Sequence, residues 1–173
     1  MNRIKILAHR GNFLPERPIP TITKYKIPEN TLEAFERALN NGWGIETDVR
    51  VLRDGNFAVI HDADIVRFSG RPDLIDQMTV SQVKEVGYKN NPQFKIPTLD
   101  GLCLLTQRYA KEGKTPFIAF QIKRGTAWDS GIAVGRGVAT YMEKYGLKDS
   151  IIFDATFEEA QILRAEFPWL FPG

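Results

Sequence analysis

Residues 45–51 read Ile-Glu-Thr-Asp-Val-Arg-Val, and this stretch decides the fold. Charged residues alternate with β-branched residues, which predicts a β-strand with one buried face. Glu46 and Asp48 share the other face, about 6–7 Å apart along the backbone. Two like charges this close on a buried strand are unfavourable without a cation, and a hard divalent ion bound by oxygen ligands would relieve the repulsion. The alternative is a salt bridge to Arg50 or a lysine on a water-facing sheet edge, and these two residues alone favour it.

Strands and helices alternate on both sides of this stretch. Further strands are predicted at about residues 4–8, 57–61, 117–123 and 151–153, with one more beginning near Pro168. Helices are predicted from a cap at Asn30 to the Asn41-Gly42 stop, at 80–86, 99–110 and 127–145, and after Thr156. Asp54-Gly55 is a hairpin turn signal, and residues 12–27 are predicted to form a long ordered loop. The alternation predicts a parallel sheet with helices packed outside it, either open or closed.

Composition narrows the class of protein. The chain has 173 residues, of which 43% are apolar, and this predicts one domain with a core. The net charge of +2 is spread along the chain without a basic stripe, so we expect no nucleic-acid partner. The single cysteine, Cys103, lies among leucines and is predicted to be a buried small hydrophobe in a reducing compartment. No apolar run approaches the roughly 20 residues that span a bilayer, and no signal peptide is evident. We therefore expect a cytoplasmic protein.

The two histidines of the chain, His9 and His61, each follow an apolar run that resembles a strand. Sites of α/β proteins lie at such strand ends, although a packed or surface histidine is an equally open alternative. If they face each other across a phosphodiester, one histidine could accept a proton from the attacking group while the other protonates the leaving oxygen. Arg10 and Lys123 are then available to neutralise phosphate oxygens.

A glycine cluster at Gly131, Gly135 and Gly137 does not have the spacing of a nucleotide-binding loop, and no strand directly precedes it. Close packing of a helix is the better interpretation of these small residues.

Several short motifs occur in order along the chain. They are Ala8-His9-Arg10-Gly11, Pro28-Glu29-Asn30-Thr31 with Ala34-Phe35, Glu46-Thr47-Asp48-Val49, Asp54-Gly55, His61-Asp62, Arg67, Ile96-Pro97-Thr98-Leu99 and Gln121-Ile122-Lys123. From residue 8 to about residue 168, this ordered set resembles the glycerophosphodiester phosphodiesterase family. The set is specific, whereas any one motif alone would not be.

The resemblance implies a TIM barrel with its site at the carboxyl ends of the strands. Such a barrel typically needs about 250 residues, and only five or six of its eight strands are predicted here. We therefore expect residues 1–173 to form a single domain of incomplete TIM-barrel-like (β/α) fold that lacks the C-terminal barrel strands. A homodimer could complete or cover such a partial barrel.

The resemblance also assigns roles to particular residues. His9 and His61 would be the general acid–base pair, and Arg10 and Lys123 would contact the phosphate. The metal ligands for a calcium or magnesium ion would be Glu46, Asp48 and Gln121. Glu29 would support the edge of the site.

Gln121 departs from the family pattern, because the family usually has a glutamate at this position. An amide oxygen can still bind a hard cation, but one negative charge is lost, so we expect weaker metal affinity. The implied function is metal-dependent hydrolysis of glycerophosphodiesters or related small phosphodiesters to a phosphomonoester and an alcohol. The alternative is a non-catalytic relative that binds ligands bearing phosphate.

Overall fold

The computed structural model describes residues 6–11, 27–124 and 130–170. Its strands are β1 (Leu7–His9), β2 (Gly44–Val51), β3 (Phe57–Val59), β4 (Gly87–Tyr88), β5 (Asn91–Lys95), β6 (Ile118–Ile122) and β7 (Ile151–Asp154). Its α-helices are α1 (Leu32–Asn40), α2 (Val66–Ser69), α3 (Val80–Glu85), α4 (Leu99–Lys111), α5 (Ser130–Tyr145) and α6 (Phe157–Glu166). Short 3₁₀ helices cover Ile75–Gln77, Lys148–Ser150 and Pro168–Leu170. Among these described residues, no helix is both long and apolar enough to cross a membrane.

The main sheet has the order β1-β2-β6-β7, and these four strands are parallel. A helix follows each of them before the next parallel strand (α1, α4 and α5), and α6 follows β7. The described residues therefore contain four βα units of the eight that make a TIM barrel, and their sheet is not closed. The predicted fold class, an incomplete TIM-barrel-like α/β fold, is confirmed.

Residues 52–98 form an excursion between β2 and α4. It contains β3, α2, α3 and the β4–β5 hairpin. The hairpin predicted at Asp54-Gly55 is present, since β3 pairs antiparallel with β2. The strand predicted at about 57–61 is thus a hairpin strand rather than a parallel barrel strand. The sequence did not predict α2 or the β4–β5 hairpin, which are held together partly by the edge-on contact of Phe68 and Tyr88, 4.9 Å between ring centroids.

Two hydrophobic clusters support these two regions. The first packs the main sheet against α1, α4 and α5, and its fully buried members include Phe35, Ile45, Leu99, Phe120 and Met142. The second lies inside the excursion and includes Ile60, Ile65, Phe68, Val83 and Ile96. Cys103 belongs to the first cluster, and burial raises the pKa of its thiol to about 12. Its prediction as a buried hydrophobe is confirmed.

The helix cap predicted at Asn30 was wrong by one residue. Thr31 is the N-cap of α1, and its hydroxyl accepts a hydrogen bond from the backbone N–H of Ala34 at 3.2 Å. Asn30 instead has a φ of 50°, a left-handed conformation that asparagine tolerates better than most residues. This conformation turns the Asn30 side chain towards β2, where it donates a hydrogen bond to Asp48.

The strand predicted near Pro168 was also wrong. Pro168–Leu170 is a 3₁₀ helix, in which the backbone N–H of Leu170 bonds to the carbonyl of Phe167 at 3.0 Å. A proline that begins a helical turn has its φ already set and loses no needed hydrogen bond, so the local signal favoured a turn as much as a strand. The loop predicted at 12–27, apart from its last residue, and Trp128 lie outside the described residues.

The glycine cluster on α5 packs closely against its neighbours, as predicted. A Cβ at Gly135 would approach Leu163 Cδ1 on α6 to 2.6 Å. A Cβ at Gly137 would overlap the ring of Phe57 on β3, and one at Gly131 would overlap Glu159 on α6. These three positions let one helix lie directly on both the excursion and α6.

Candidate active site

Polar side chains gather where the parallel strands end. His9 is the last residue of β1, Glu46 and Asp48 lie on β2, and Gln121 lies on β6 with Lys123 just beyond it. The strand register places Glu46 beside His9, and Asp48 beside Gln121. Arg10 follows His9 and contacts both carboxylates, so the carboxyl edge of the sheet collects six of the seven residues that the sequence predicted for the site.

Asp48 is the buried centre of this group, with a side chain only 1% exposed. Its Oδ2 accepts a hydrogen bond from Asn30 Nδ2 at 3.1 Å and lies 3.3 Å from Arg10 Nε. Its Oδ1 lies 3.2 Å from the Lys123 ammonium. A buried carboxylate is tolerated only with such compensation, so two cations and one amide donor make Asp48 possible here.

Glu46 faces the same side of β2, as the strand alternation predicted. Its Oε2 accepts a hydrogen bond from the backbone N–H of Arg10 at 3.1 Å and lies 3.8 Å from His9 Nε2. Burial raises the pKa of Glu46, the hydrogen bond from Arg10 opposes that rise, and the charge of Asp48 adds to it. Arg10 presents its N–H from a left-handed turn with φ 51°, a strained conformation of the kind found at functional sites.

A chain of ion pairs runs from Arg10 to the second histidine. Glu29 Oε1 lies 2.9 Å from Arg10 Nη1 and 2.7 Å from Arg67 Nη2. Arg67 Nε in turn contacts Asp62 Oδ2 at 2.6 Å, and Asp62 Oδ1 lies 2.9 Å from His61 Nδ1. The structure therefore joins the surroundings of both histidines through alternating charges.

Asp62 sets the protonation pattern of His61. The Arg67 hydrogen bond holds the pKa of Asp62 at about 2, against a partial rise from burial. Asp62 is therefore a carboxylate at neutral pH and can only accept a hydrogen bond. The proton of a neutral His61 then sits on Nδ1, which leaves Nε2 as the basic nitrogen.

Glu29 is fixed from a second direction by the excursion. The hydroxyl of Tyr88 donates a hydrogen bond to the backbone carbonyl of Glu29 at 2.5 Å. Burial would raise the pKa of the Glu29 carboxyl, but hydrogen bonds and charge from Arg67 and Arg10 outweigh it and lower that pKa. Glu29 is thus an ionised link at the edge of the site, which agrees with the supporting role that the resemblance implied.

Arg50 does not pair with the carboxylates beside it on β2. Its Nε and Nη2 donate to the backbone carbonyl of His61 at 2.9 and 2.7 Å, and its Nη1 donates to the carbonyl of Arg124 at 2.8 Å. Burial lowers the pKa of its guanidinium, and nearby aspartates oppose that shift. Arg50 therefore holds two site-forming loops rather than serving as the salt-bridge partner that the sequence left open.

Gln121 occupies the third predicted metal position. Its Nε2 donates to Asp154 Oδ2 at 3.0 Å, and its Oε1 accepts a hydrogen bond from Lys123. Within the described residues no group of three or more His, Cys, Asp or Glu side chains is placed to hold a metal. The available donors are two carboxylates and this amide oxygen.

These donors fit a hard divalent cation. Asp48 Oδ1 is buried and, although the Lys123 ammonium lies 3.2 Å away, it accepts no hydrogen bond within the described part of the chain, so it can still accept a ligand. Carboxylate and amide oxygens are the ligands that calcium and magnesium prefer. The set carries one negative charge fewer than three carboxylates would.

Two contributors were missed by reasoning from the residues alone. Asn30 was interpreted as a helix cap, yet it bridges Asp48 and the Thr47 hydroxyl, which donates to Asn30 Oδ1 at 2.9 Å. Arg50 was considered only as a salt-bridge partner. The Pro-Glu-Asn-Thr order carried a usable signal for Asn30, since Thr31 was an equally good cap and left Asn30 free for another role.

Comparison with known proteins identifies the family of the chain. The model of the glycerophosphoryl diester phosphodiesterase family matches residues 22–155. The chain belongs to this family. A glycerophosphodiester phosphodiesterase from Bacillus altitudinis is 37% identical over 111 residues, which are 60% of this chain and 41% of that relative.

Solved structures of the family share the fold. A Thermotoga maritima glycerophosphodiester phosphodiesterase is 28% identical with a TM-score of 0.63, and the match covers 96% of this chain and 58% of that one. An Oleispira antarctica phosphodiesterase, solved with the product sn-glycerol-3-phosphate, is 19% identical with a TM-score of 0.74 and coverage of 95% and 63%. The chain thus spans about two fifths of the length of the Bacillus altitudinis relative and about three fifths of these solved chains.

Proposed function

We propose that this chain hydrolyses glycerophosphodiesters or related small phosphodiesters to a phosphomonoester and an alcohol. The observation that carries the proposal is the continuous charged network that joins the Asp48 group to the His61–Asp62 pair at the carboxyl edge of the sheet. Family membership supports it, as does the glycerol phosphate product held by the Oleispira antarctica neighbour.

His61 and His9 divide the proton transfers in this proposal. Because Asp62 holds Nδ1 of His61, Nε2 of His61 is the atom that exchanges a proton with the substrate. His9 has a side chain that is 70% exposed beside Glu46, so it can reach a bound phosphodiester from the β1 side. One histidine accepts the proton of the attacking hydroxyl or water while the other protonates the leaving alcohol.

Glu46, Asp48 and the amide oxygen of Gln121 would hold a calcium or magnesium ion. When bound, such an ion neutralises phosphate charge and lowers the pKa of an attacking oxygen. Arg10 and Lys123 already lie beside Asp48, at 3.3 and 3.2 Å, so both cations are placed at the edge where the phosphate would bind. Their proposed contacts to the phosphate orient it for attack.

The test is release of glycerol 3-phosphate from glycerophosphocholine, measured with calcium, magnesium or a chelator. We expect cation-dependent release, and we expect His61→Asn and His9→Asn each to lower the rate by about 10²–10⁴-fold because a proton-transfer group is lost. Gln93→Asn, an exposed change on β5, serves as the matched control. Unchanged rates in both histidine variants would refute the acid–base assignment.

A second candidate is a phosphate-binding relative that does not turn its ligand over. The observation that favours it is Gln121, because the weaker charge of the donor set reduces metal affinity. Binding of glycerol 3-phosphate without release from any phosphodiester of a panel would establish this alternative. A cytoplasmic location and a homodimer that completes or covers the barrel stay predictions, and the solution mass tests the second.

A further inference from the structure

Asp154 at the end of β7 contacts the one proposed metal ligand that is not an acid. It is the register partner of Gln121 on the neighbouring strand, and its Oδ2 accepts the hydrogen bond from Gln121 Nε2 at 3.0 Å. Asp154 itself is exposed, and the described residues contain no acidic or histidine trio that would include it as a metal ligand. Its carboxylate therefore lies where it can act on the Gln121 amide.

The two ends of the Gln121 amide are told apart by their partners. A carboxylate accepts hydrogen bonds, so the NH₂ group turns towards Asp154; an ammonium only donates, so the oxygen turns towards Lys123. Lys123 also lies 3.2 Å from Asp48 Oδ1, which places the amide oxygen on the side of the carboxylate group. Without Asp154, Asp48 would be the acceptor that competes for the NH₂ group, because it is the register partner of Gln121 on β2.

We propose that Asp154 is a positioning residue that turns the Gln121 amide so that its oxygen, and not its nitrogen, faces the cation held by Glu46 and Asp48. This inference rests on the proposed function. A glutamate at position 121 would need no such partner, because either carboxylate oxygen can bind a cation. Gln121 and Asp154 are therefore a coupled pair, and the second makes the first usable as a ligand.

The coupling is tested by a double-mutant cycle in calcium binding, measured by isothermal titration calorimetry. In the native background we expect Asp154→Ala, which removes the hydrogen-bond acceptor, to weaken calcium binding about tenfold, the low end for partners that orient metal ligands. In the Gln121→Glu background we expect the same change to weaken it less than about twofold at physiological salt, where exposed charges are screened. A merely electrostatic role would give equal losses in both backgrounds.

Two further measurements separate positioning from general effects. Asp149→Asn removes an exposed charge that precedes the same strand, and we expect it to leave calcium affinity unchanged. In the metal-free protein, the side-chain NH₂ resonances of Gln121 should shift in Asp154→Ala, because their acceptor is gone. Unmoved resonances would overturn the inference even if the variant binds calcium less well.

The outcomes also distinguish this inference from the proposed function. Equal losses in both backgrounds overturn the positioning role and leave hydrolysis standing. If the double-mutant cycle gives the expected losses in calcium affinity but the protein releases no glycerol 3-phosphate, hydrolysis is refuted and the positioning role is supported. A native protein that binds neither calcium nor magnesium overturns both the metal site and the role of Asp154.

Discussion

The four βα units and the excursion bring different kinds of charge to the same site. On the sheet, Asp48 is 1% exposed and its partner Lys123 is 17% exposed. In the excursion, Asp62 is 22% and Arg67 is 48% exposed. Removal of a buried, paired carboxylate lowers the free energy of unfolding strongly, whereas an exposed ion pair contributes little to that free energy. The sheet therefore fixes where charge lies, and the excursion orients a histidine at low energetic cost.

The largest effect on stability is expected when the buried charge of Asp48 is removed. We expect Asp48→Asn to lower the free energy of unfolding by about 3 kcal/mol, because Arg10 and Lys123 would lose their shared buried partner. Urea denaturation measures the change. The control is Glu36→Gln, which breaks the exposed pair with Arg108 and should cost less than about 1 kcal/mol. Equal losses in the two variants would contradict the proposed difference between the regions.

The second prediction concerns the proposed metal ligands on the sheet. We expect Gln121→Glu to tighten calcium binding about tenfold, equivalent to about 1.4 kcal/mol, because a third carboxylate joins the donor set. Calorimetric titration measures it, and Gln93→Glu on the exposed face of β5 controls for added charge. Equal affinity in the native protein and Gln121→Glu would refute the view that the amide weakens the site.

The smallest effect is expected in the excursion. Arg67 lowers the pKa of Asp62 to about 2 from 3.8, so this carboxylate stabilises the fold above about pH 4. That contribution is lost as the pH falls from about 4 through 2, because Asp62 is protonated first in the unfolded state and then, near its folded pKa of about 2, in the native state as well. We expect Asp62→Asn to be less stable than the native protein by under about 1 kcal/mol at pH 6. The difference should vanish near pH 2, as followed by thermal unfolding across that range.

A pH-independent difference would instead mean that the Asp62 charge is not what stabilises this part of the excursion. If the excursion serves to orient His61, Asp62→Asn should lower turnover by more than its change in the free energy of unfolding alone would predict. The reason is that His61 Nδ1 loses its carboxylate partner.

The sheet was more predictable from the sequence than the excursion was. The alternation in residues 45–51 predicted both the strand and the shared face of Glu46 and Asp48, since strand periodicity is a local property. By contrast, α2 has four residues and β4 two, too short for a periodic pattern to emerge. They form because Phe68 and neighbouring apolar residues meet in a separate cluster, which local patterns do not reveal.

The same distinction applies within the site. His9 and His61 stood out because the chain has two histidines and both follow apolar runs. The roles of Asn30 and Arg50 depend on contacts across 18 and 74 residues of sequence, to Asp48 and Arg124. A pairing at that distance is decided by the fold, and neither local stretch identifies the partner. The interpretation of Asn30 as a cap failed for this reason.

Arg50 has a mechanical consequence. Its guanidinium donates hydrogen bonds to the backbone carbonyl of His61, after β3, and to that of Arg124, after β6. Displacement of the backbone at His61 is therefore transmitted to the backbone at Arg124 through one side chain. On warming, release of these hydrogen bonds would free the two backbone segments in a local event below the temperature at which the sheet unfolds. The working temperature of the site would then be set by three hydrogen bonds from one residue rather than by the stability of the barrel core.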